Sequence, residues 1–315
     1  MELKGKFISP IVTTSITNQG MGFHSKRILT PGYSKVMEVI KETRTTNLAK
    51  SSTRFGHIGN VVPWKPWTAF QYVKKYKHDS MVNAVALTNA GAYYNAFMCL
   101  IASLLGYKVM PSIYVQFGKY GDTEAIQQGV EAYGIFKKIM GKYFIGADWN
   151  GSCGNTTDDI RKNLPRIMRL GKVAKEEFPD DIHSLKYSFF HPTEMLAEAA
   201  IYYDILHGIN SISMGLLDPA LEKLSPLYGL KNVNYGGSMS GGEISRFAWQ
   251  KNYEVARAVE GTNCRLILAG GISNLNQARR YFNEIISPEL HSIGICTAIE
   301  RNSDESCRIL EHYNG

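Results

Sequence analysis

Short apolar runs that alternate with amphipathic helical stretches are the feature that most restricts what this chain can fold into. Runs at 7–13, 46–49, 109–115, 143–147, 184–190, 209–213, 265–269 and 292–296 have strand length and composition. Met81 to Leu87 is a further apolar run, interrupted by Asn83. Helical spacing lies between them. In 122–140, Ile126, Val130, Tyr133, Phe136 and Met140 recur at three- and four-residue steps, with Asp122 placed to cap. Helices are also expected at 34–42, at 92–106, at 158–177, and at 193–208 with Thr193 as its cap. Another follows the Gly-rich loop 225–242 and runs through Val259. One more follows Ser273 or Asn274, with Leu275, Ala278, Phe282 and Ile285 on one face, and a terminal helix closes the chain.

Strands that alternate with helices run parallel and connect by right-handed crossovers. There are about eight of them, the number that closes a barrel. No linker divides the chain and no G-x-G-x-x-G turn occurs, so two Rossmann halves fit less well. The expected fold class is α/β: a single (β/α)8 TIM barrel over 1–315. It carries an N-terminal excursion (54–80) and Gly-rich loops at its C-terminal face.

Composition narrows the function. A hydrophobic share of 44% and a charged share of 20% describe a globular protein. The net charge of +7 permits an anionic ligand, but no basic run of five appears, so nucleic acid is not an expected partner. Cys99, Cys153, Cys264, Cys296 and Cys307 form an odd set without C-x-x-C spacing. That argues against a disulfide scaffold or a zinc site and for a reducing cytoplasm. With neither a signal segment nor an apolar stretch long enough to span a bilayer, no membrane partner is expected.

The unusual polar residues fall at strand ends. Gly146-Ala-Asp-Trp-Asn-Gly-Ser-Cys-Gly-Asn-Thr156 presents a thiol, Cys153, between the amides Asn150 and Asn155. Alone it reads more readily as a turn with a filler cysteine. But Lys50, Asn83, Lys186, Asn210 and the pairs Gly236-Gly237 and Gly270-Gly271 fall at strand ends too. In a barrel these ends form the face where sites are built. Gly270-Gly271 after the seventh strand and Gly294 to Thr297 after the eighth occupy the positions where barrels hold phosphate.

The chain resembles the dihydroorotate dehydrogenase family, FMN-containing barrels, and within it the cytosolic class 1 that uses a cysteine. The resemblance runs through Lys50-Ser-Ser-Thr53 with Gly59-Asn60 and Pro63, Asn83-Ala-Val-Ala-Leu-Thr-Asn89, and Asn150-Gly-Ser-Cys-Gly-Asn155. It continues through Leu185-Lys186, Asn210-Ser-Ile-Ser-Met-Gly-Leu-Leu-Asp-Pro219, Tyr235-Gly-Gly-Ser-Met-Ser-Gly241, Ala269-Gly-Gly271 and Gly294-Ile-Cys-Thr297.

The resemblance implies FMN-dependent oxidation of dihydroorotate to orotate, a step of pyrimidine biosynthesis. Cys153 would take the C5 proton as base while a hydride passes to flavin N5. Asn83, Asn150, Asn155, Asn210 and Ser211 would bind the substrate. Lys50, Ser51, Asn150 and Lys186 would contact the flavin, with Lys50 also on the substrate carboxylate. Gly236, Gly237, Gly270, Gly271, Gly294 and Thr297 would cradle its phosphate. The electron acceptor would be fumarate, or NAD through a partner subunit, and the assembly a homodimer.

The chain departs from the family pattern at Gly154 (usually proline), Trp64 (usually arginine), Val85-Ala86 (usually Met-Gly), Thr13-Thr14-Ser15 (usually Ala-Ser-Gly) and Met214 (usually asparagine). The segment after Asn155 is also shorter than usual. Three alternatives remain open: a related flavin barrel acting on another dihydropyrimidine or a dihydrouridine, a non-catalytic FMN-binding relative, and a flavin-free Schiff-base lyase using Lys186.

Overall fold

The computed structural model describes residues 1–14, 32–62, 64–65, 67–77, 79–152 and 163–315. Eight parallel strands close into a barrel. They are β1 (Ile11–Thr14), β2 (Thr46–Ser52), β3 (Lys108–Ile113), β4 (Ala147–Asn150), β5 (His183–Lys186), β6 (Ile205–Gly208), β7 (Arg265–Ala269) and β8 (Ser292–Ile295). Each pairs with its neighbour in the sequence, and β8 pairs with β1 to close the ring. The helices that follow the strands are α1 (Tyr33–Glu42), α2 (Ala92–Leu104), α3 (Asp122–Met140), α4 (Leu164–Glu177), α5 (Thr193–Ala199), α6 (Ser245–Ala258), α7 (Leu275–Glu284) and α8 (Ser303–Asn314). This is the (β/α)8 barrel that the alternation predicts.

Two apolar cores hold it. Val12, Leu48, Met110, Ile182, Ile205 and Ile267 fill the lower barrel together with Met1 and Ile8. A small hairpin pairing Glu2–Leu3 with Lys6–Phe7 holds those two residues in place, and the Met1 ammonium donates to the Ile8 carbonyl at 2.7 Å. The outer core lies between strands and helices. There Trp149 of β4 stacks on Tyr133 of α3 at 5.5 Å, and Tyr133 meets Phe144 and Phe178.

The excursion is more structured than a surface loop. It contributes Val73–Tyr76 and Ser80–Asn83 to a four-stranded antiparallel sheet completed by Ile212–Ser213 and Ser238–Ser240 from the loop after β6. All four strands come from connections that leave the C-terminal ends of barrel strands, so the sheet caps that face. No described helix is long and apolar enough to cross a membrane.

Several boundaries differ from the sequence reading. The strand expected at 143–147 begins only at Ala147, because Gly141–Tyr143 is a 3-10 turn and Phe144 packs on Tyr133. The helix expected over 193–208 ends at Ala199, and β6 occupies Ile205–Gly208 in place of a strand at 209–213. A consecutive apolar run fits a fully buried strand as well as a helix, and pairing to β5 and β7 decides it. Asp122 does not cap α3. It is the first helical residue, Gly121 precedes it without a side-chain cap, and its carboxylate meets Arg166 at 3.0 Å and Arg169 at 3.6 Å. Nor does Thr193 cap α5; its hydroxyl accepts from Lys251 at 2.8 Å. Asn274 does cap α7, accepting from the Gln277 N–H.

Candidate active site

Alternation along a strand decides which side chains enter the barrel. On β4, Ala147 and Trp149 face the helices, so Asp148 and Asn150 point inward. On β5, Leu185 faces outward, so Ser184 and Lys186 point inward. Register places Asn150, Lys186 and His207 side by side on β4, β5 and β6, with Asp148 and Ser184 one step below.

Asn150 is the hub of the upper layer. The pairing of β2 with β3 slips between Leu48 and Ser51, and this irregularity brings Ser51 inward. The Ser51 hydroxyl accepts from Asn150 Nδ2 at 2.8 Å and lies 3.0 Å from Ser112 Oγ. Asn150 Oδ1 accepts from the Ser152 N–H at 3.1 Å, the Ser152 hydroxyl at 3.3 Å and Asn210 Nδ2 at 3.4 Å. Asn210 Nδ2 also meets the Ser152 carbonyl and hydroxyl, each at 3.1 Å, and Asn210 Oδ1 accepts from the Ser211 N–H at 2.9 Å. Ser51, Asn150, Ser152, Asn210 and Ser211 therefore form one hydrogen-bonded set, with Lys186 in register beside Asn150.

Other singled-out residues sit further out. Lys50 is half-buried and its Nζ donates to the Thr88 carbonyl at 2.6 Å, which ties β2 to the excursion. Asn83 lies on the capping sheet and donates to the Ser238 carbonyl at 3.3 Å. Ser238 and Ser213 hydroxyls lie 3.4 Å apart, which links Asn83 to the segment that follows Asn210 and Ser211. Met214, where the resembled family has asparagine, is fully buried and offers a ligand no polar atom. Cys153 and Asn155 lie outside the described residues.

The glycines divide into two groups. Gly236 and Gly237, with φ of 66° and 84°, make the turn into the capping sheet. The Gly237 N–H donates to Asn234 and its carbonyl accepts from Met214, so this pair shapes the loop. Gly270 and Gly271 are different. A Cβ on Gly271 would come within 2.7 Å of Ser245 Cα and 2.8 Å of the Gly241 carbonyl. A Cβ on Gly241 would come within 3.0 Å of Thr297 Cγ2, and Thr297 Oγ1 donates to Ser240 at 2.9 Å. The turns after β6, β7 and β8 thus converge as bare backbone, with Gly241 an unassigned member. Gly294 lets the neighbouring strands pack closely on the same side: a Cβ there would come within 2.9 Å of both Ala269 Cβ and Thr14 Cγ2. One wall of the mouth is small and the facing wall is polar, which suits a flat ring with a phosphate at one end.

Among solved structures, the chain superposes on a DHODH (dihydroorotate dehydrogenase) from Eimeria tenella in complex with ferulenol, with a TM-score of 0.68 and 13% identity over 98% of this chain and 82% of that one. The likeness is one of fold. Tryptophan synthase from Mycobacterium tuberculosis (TM-score 0.45, 12% identity, 98% and 90% covered) also matches. So does a putative deoxyribose-phosphate aldolase from Toxoplasma gondii (TM-score 0.44, 9% identity, 98% and 93% covered). Both superpose too loosely to bear on function. No family model and no curated protein matches the chain.

Three inward residues escaped the sequence reading: Asp148, Ser184 and His207. Asp148 Oδ1 accepts from Ser184 Oγ at 2.7 Å, and both its oxygens lie 3.2 Å from His207 Nδ1. Burial, and secondarily the Lys186 charge, hold His207 below the ordinary histidine range against the upward pull of Asp148. The signal available in the sequence was the period of two, Asp148 with Asn150 and Ser184 with Lys186.

Proposed function

We propose that the chain is an FMN-dependent oxidoreductase that oxidises dihydroorotate to orotate. The observation that carries this reading is the set Ser51–Asn150–Ser152–Asn210–Ser211, with Lys186 in register, at the mouth of a barrel. Amides and hydroxyls that can both donate and accept suit a pyrimidine edge and reject analogues that leave them unpaired. Ser51, Asn150 and Lys186 would hold the flavin ring, and Gly236, Gly241, Gly270, Gly271, Gly294 and Thr297 its phosphate; Gly237 gives its N–H to Asn234 within the loop. Bound there, FMN supplies a two-electron acceptor. Lys186 places a cation where negative charge would develop, and Cys153 would take the substrate proton.

Four described cysteines are free thiols, in keeping with a cytoplasmic enzyme. The rest of the reading is a homodimer that passes electrons to fumarate, or to NAD through a partner subunit.

The test is a Cys153→Ser variant. It should keep its flavin while turnover of dihydroorotate drops by ~10²–10⁴. Wild-type turnover should rise with pH toward the thiol's pKa, about 8.5 when unperturbed. Unchanged turnover in the variant would remove Cys153 from the chemistry. A lyase working through Lys186 would instead be trapped covalently by borohydride with a carbonyl substrate.

A further inference from the structure

Asp148 is the one aspartate or glutamate buried among the described residues, and its side chain is 1% exposed. It lies inside the barrel, one register step below Lys186, whose own exposure is 6%. Burying an ammonium and a carboxylate costs least when the two charges lie near each other. A ring stands beside both. His207 faces Lys186 directly across the β5–β6 pairing and meets Asp148 through Nδ1. With Nδ1–H given to the carboxylate, the neutral ring keeps a lone pair on Nε2, a buried atom with no hydrogen-bond partner. Ser184 fixes the carboxylate from the other side.

We propose that Asp148, acting through the neutral ring of His207, is the buried counter-ion of Lys186 and sets how strongly the barrel mouth favours negative charge. Asp148, Ser184 and His207 act through Lys186 in this scheme and are positioning residues. The inference about the mouth rests on the flavin reading, whereas the pairing of Asp148 with Lys186 does not.

The first measurement therefore uses flavin-free protein. Asp148→Asn should cost more melting temperature when Lys186 is present than in a Lys186→Met background, by at least about 3 °C. Equal costs in the two backgrounds overturn the proposal, because a purely structural Asp148–His207 pair predicts that equality. If Asp148→Asn does not fold, His207→Gln in the same two backgrounds gives the same comparison, with the same outcomes supporting or overturning it.

The second measurement titrates FMN-loaded protein with sulfite, which adds to the flavin as an anion. Asp148→Asn removes negative charge beneath the mouth, so the sulfite Kd should fall about tenfold. Unchanged sulfite affinity overturns the claim about the mouth. A protein that binds no flavin sinks the proposed function, while the melting comparison still decides the pairing of Asp148 with Lys186.

Discussion

Asn150 shows how much one amide can organise. Its Nδ2 holds the Ser51 hydroxyl and its Oδ1 gathers three donors, so Asn150→Ala removes a hydrogen bond from Ser51, Ser152 and Asn210 at once and takes from the Ser152 N–H its acceptor. Such a loss costs about 1–3 kcal/mol. A denaturant midpoint shifted by that amount, together with weaker flavin retention, is the expected outcome; an unshifted midpoint would mean that water replaces the amide. The thiols make a second residue-scale prediction. Burial pushes Cys99 and Cys264 up to about 12, so a thiol reagent at pH 8 should modify neither in the folded protein. Peptide mapping that finds either one labelled before Cys153 contradicts this. Lys50, Asn150, Lys186 and Asn210 were legible in the sequence because a polar side chain at the end of an apolar run is conspicuous. Asp148 was not. With the strand placed at 143–147, it fell outside the element whose alternation turns it inward.

At the scale of elements, the turns after β6 and β7 fit so closely that side chains have no room. Gly271 has φ of 77° and the Gly241 carbonyl beside its Cα, so Gly271→Ala meets both backbone strain and a clash. The expected cost is about 1–3 kcal/mol. A larger proportional loss of FMN affinity than of riboflavin affinity would place the phosphate at this turn, and equal losses would move it elsewhere. These turns were readable as Gly pairs after apolar runs. The α5–β6 boundary was not, since 200–209 is apolar enough to continue a helix. Only pairing to β5 and β7, a non-local fact, settles where the helix stops.

For the whole molecule, strand and helix alternation was the most legible property, because the closed ring pairs each strand with its sequence neighbour. The capping sheet was invisible, being assembled from two loops far apart in the chain. Several histidines make stability depend on pH. His291, lowered to about 4 by burial, Arg265 and the N-terminus, stays neutral where the unfolded chain is already taking up a proton. His183 and His207 are lowered too, burial being the main cause. The unfolded chain then binds more protons between about pH 6.5 and 4, so stability is full above that window and lost on acidification through it. Melting temperature should fall as pH drops from 6.5 to 4; a flat profile would show these rings charging in the folded state.

Ligand binding acts at the same scale, since FMN bound only by the folded chain must raise its melting temperature. The most direct measurement of the proposed chemistry is the visible spectrum of purified protein before and after anaerobic addition of dihydroorotate. A flavin band that bleaches on addition is the predicted result. A protein that carries flavin in full occupancy and leaves that band unchanged would contradict it.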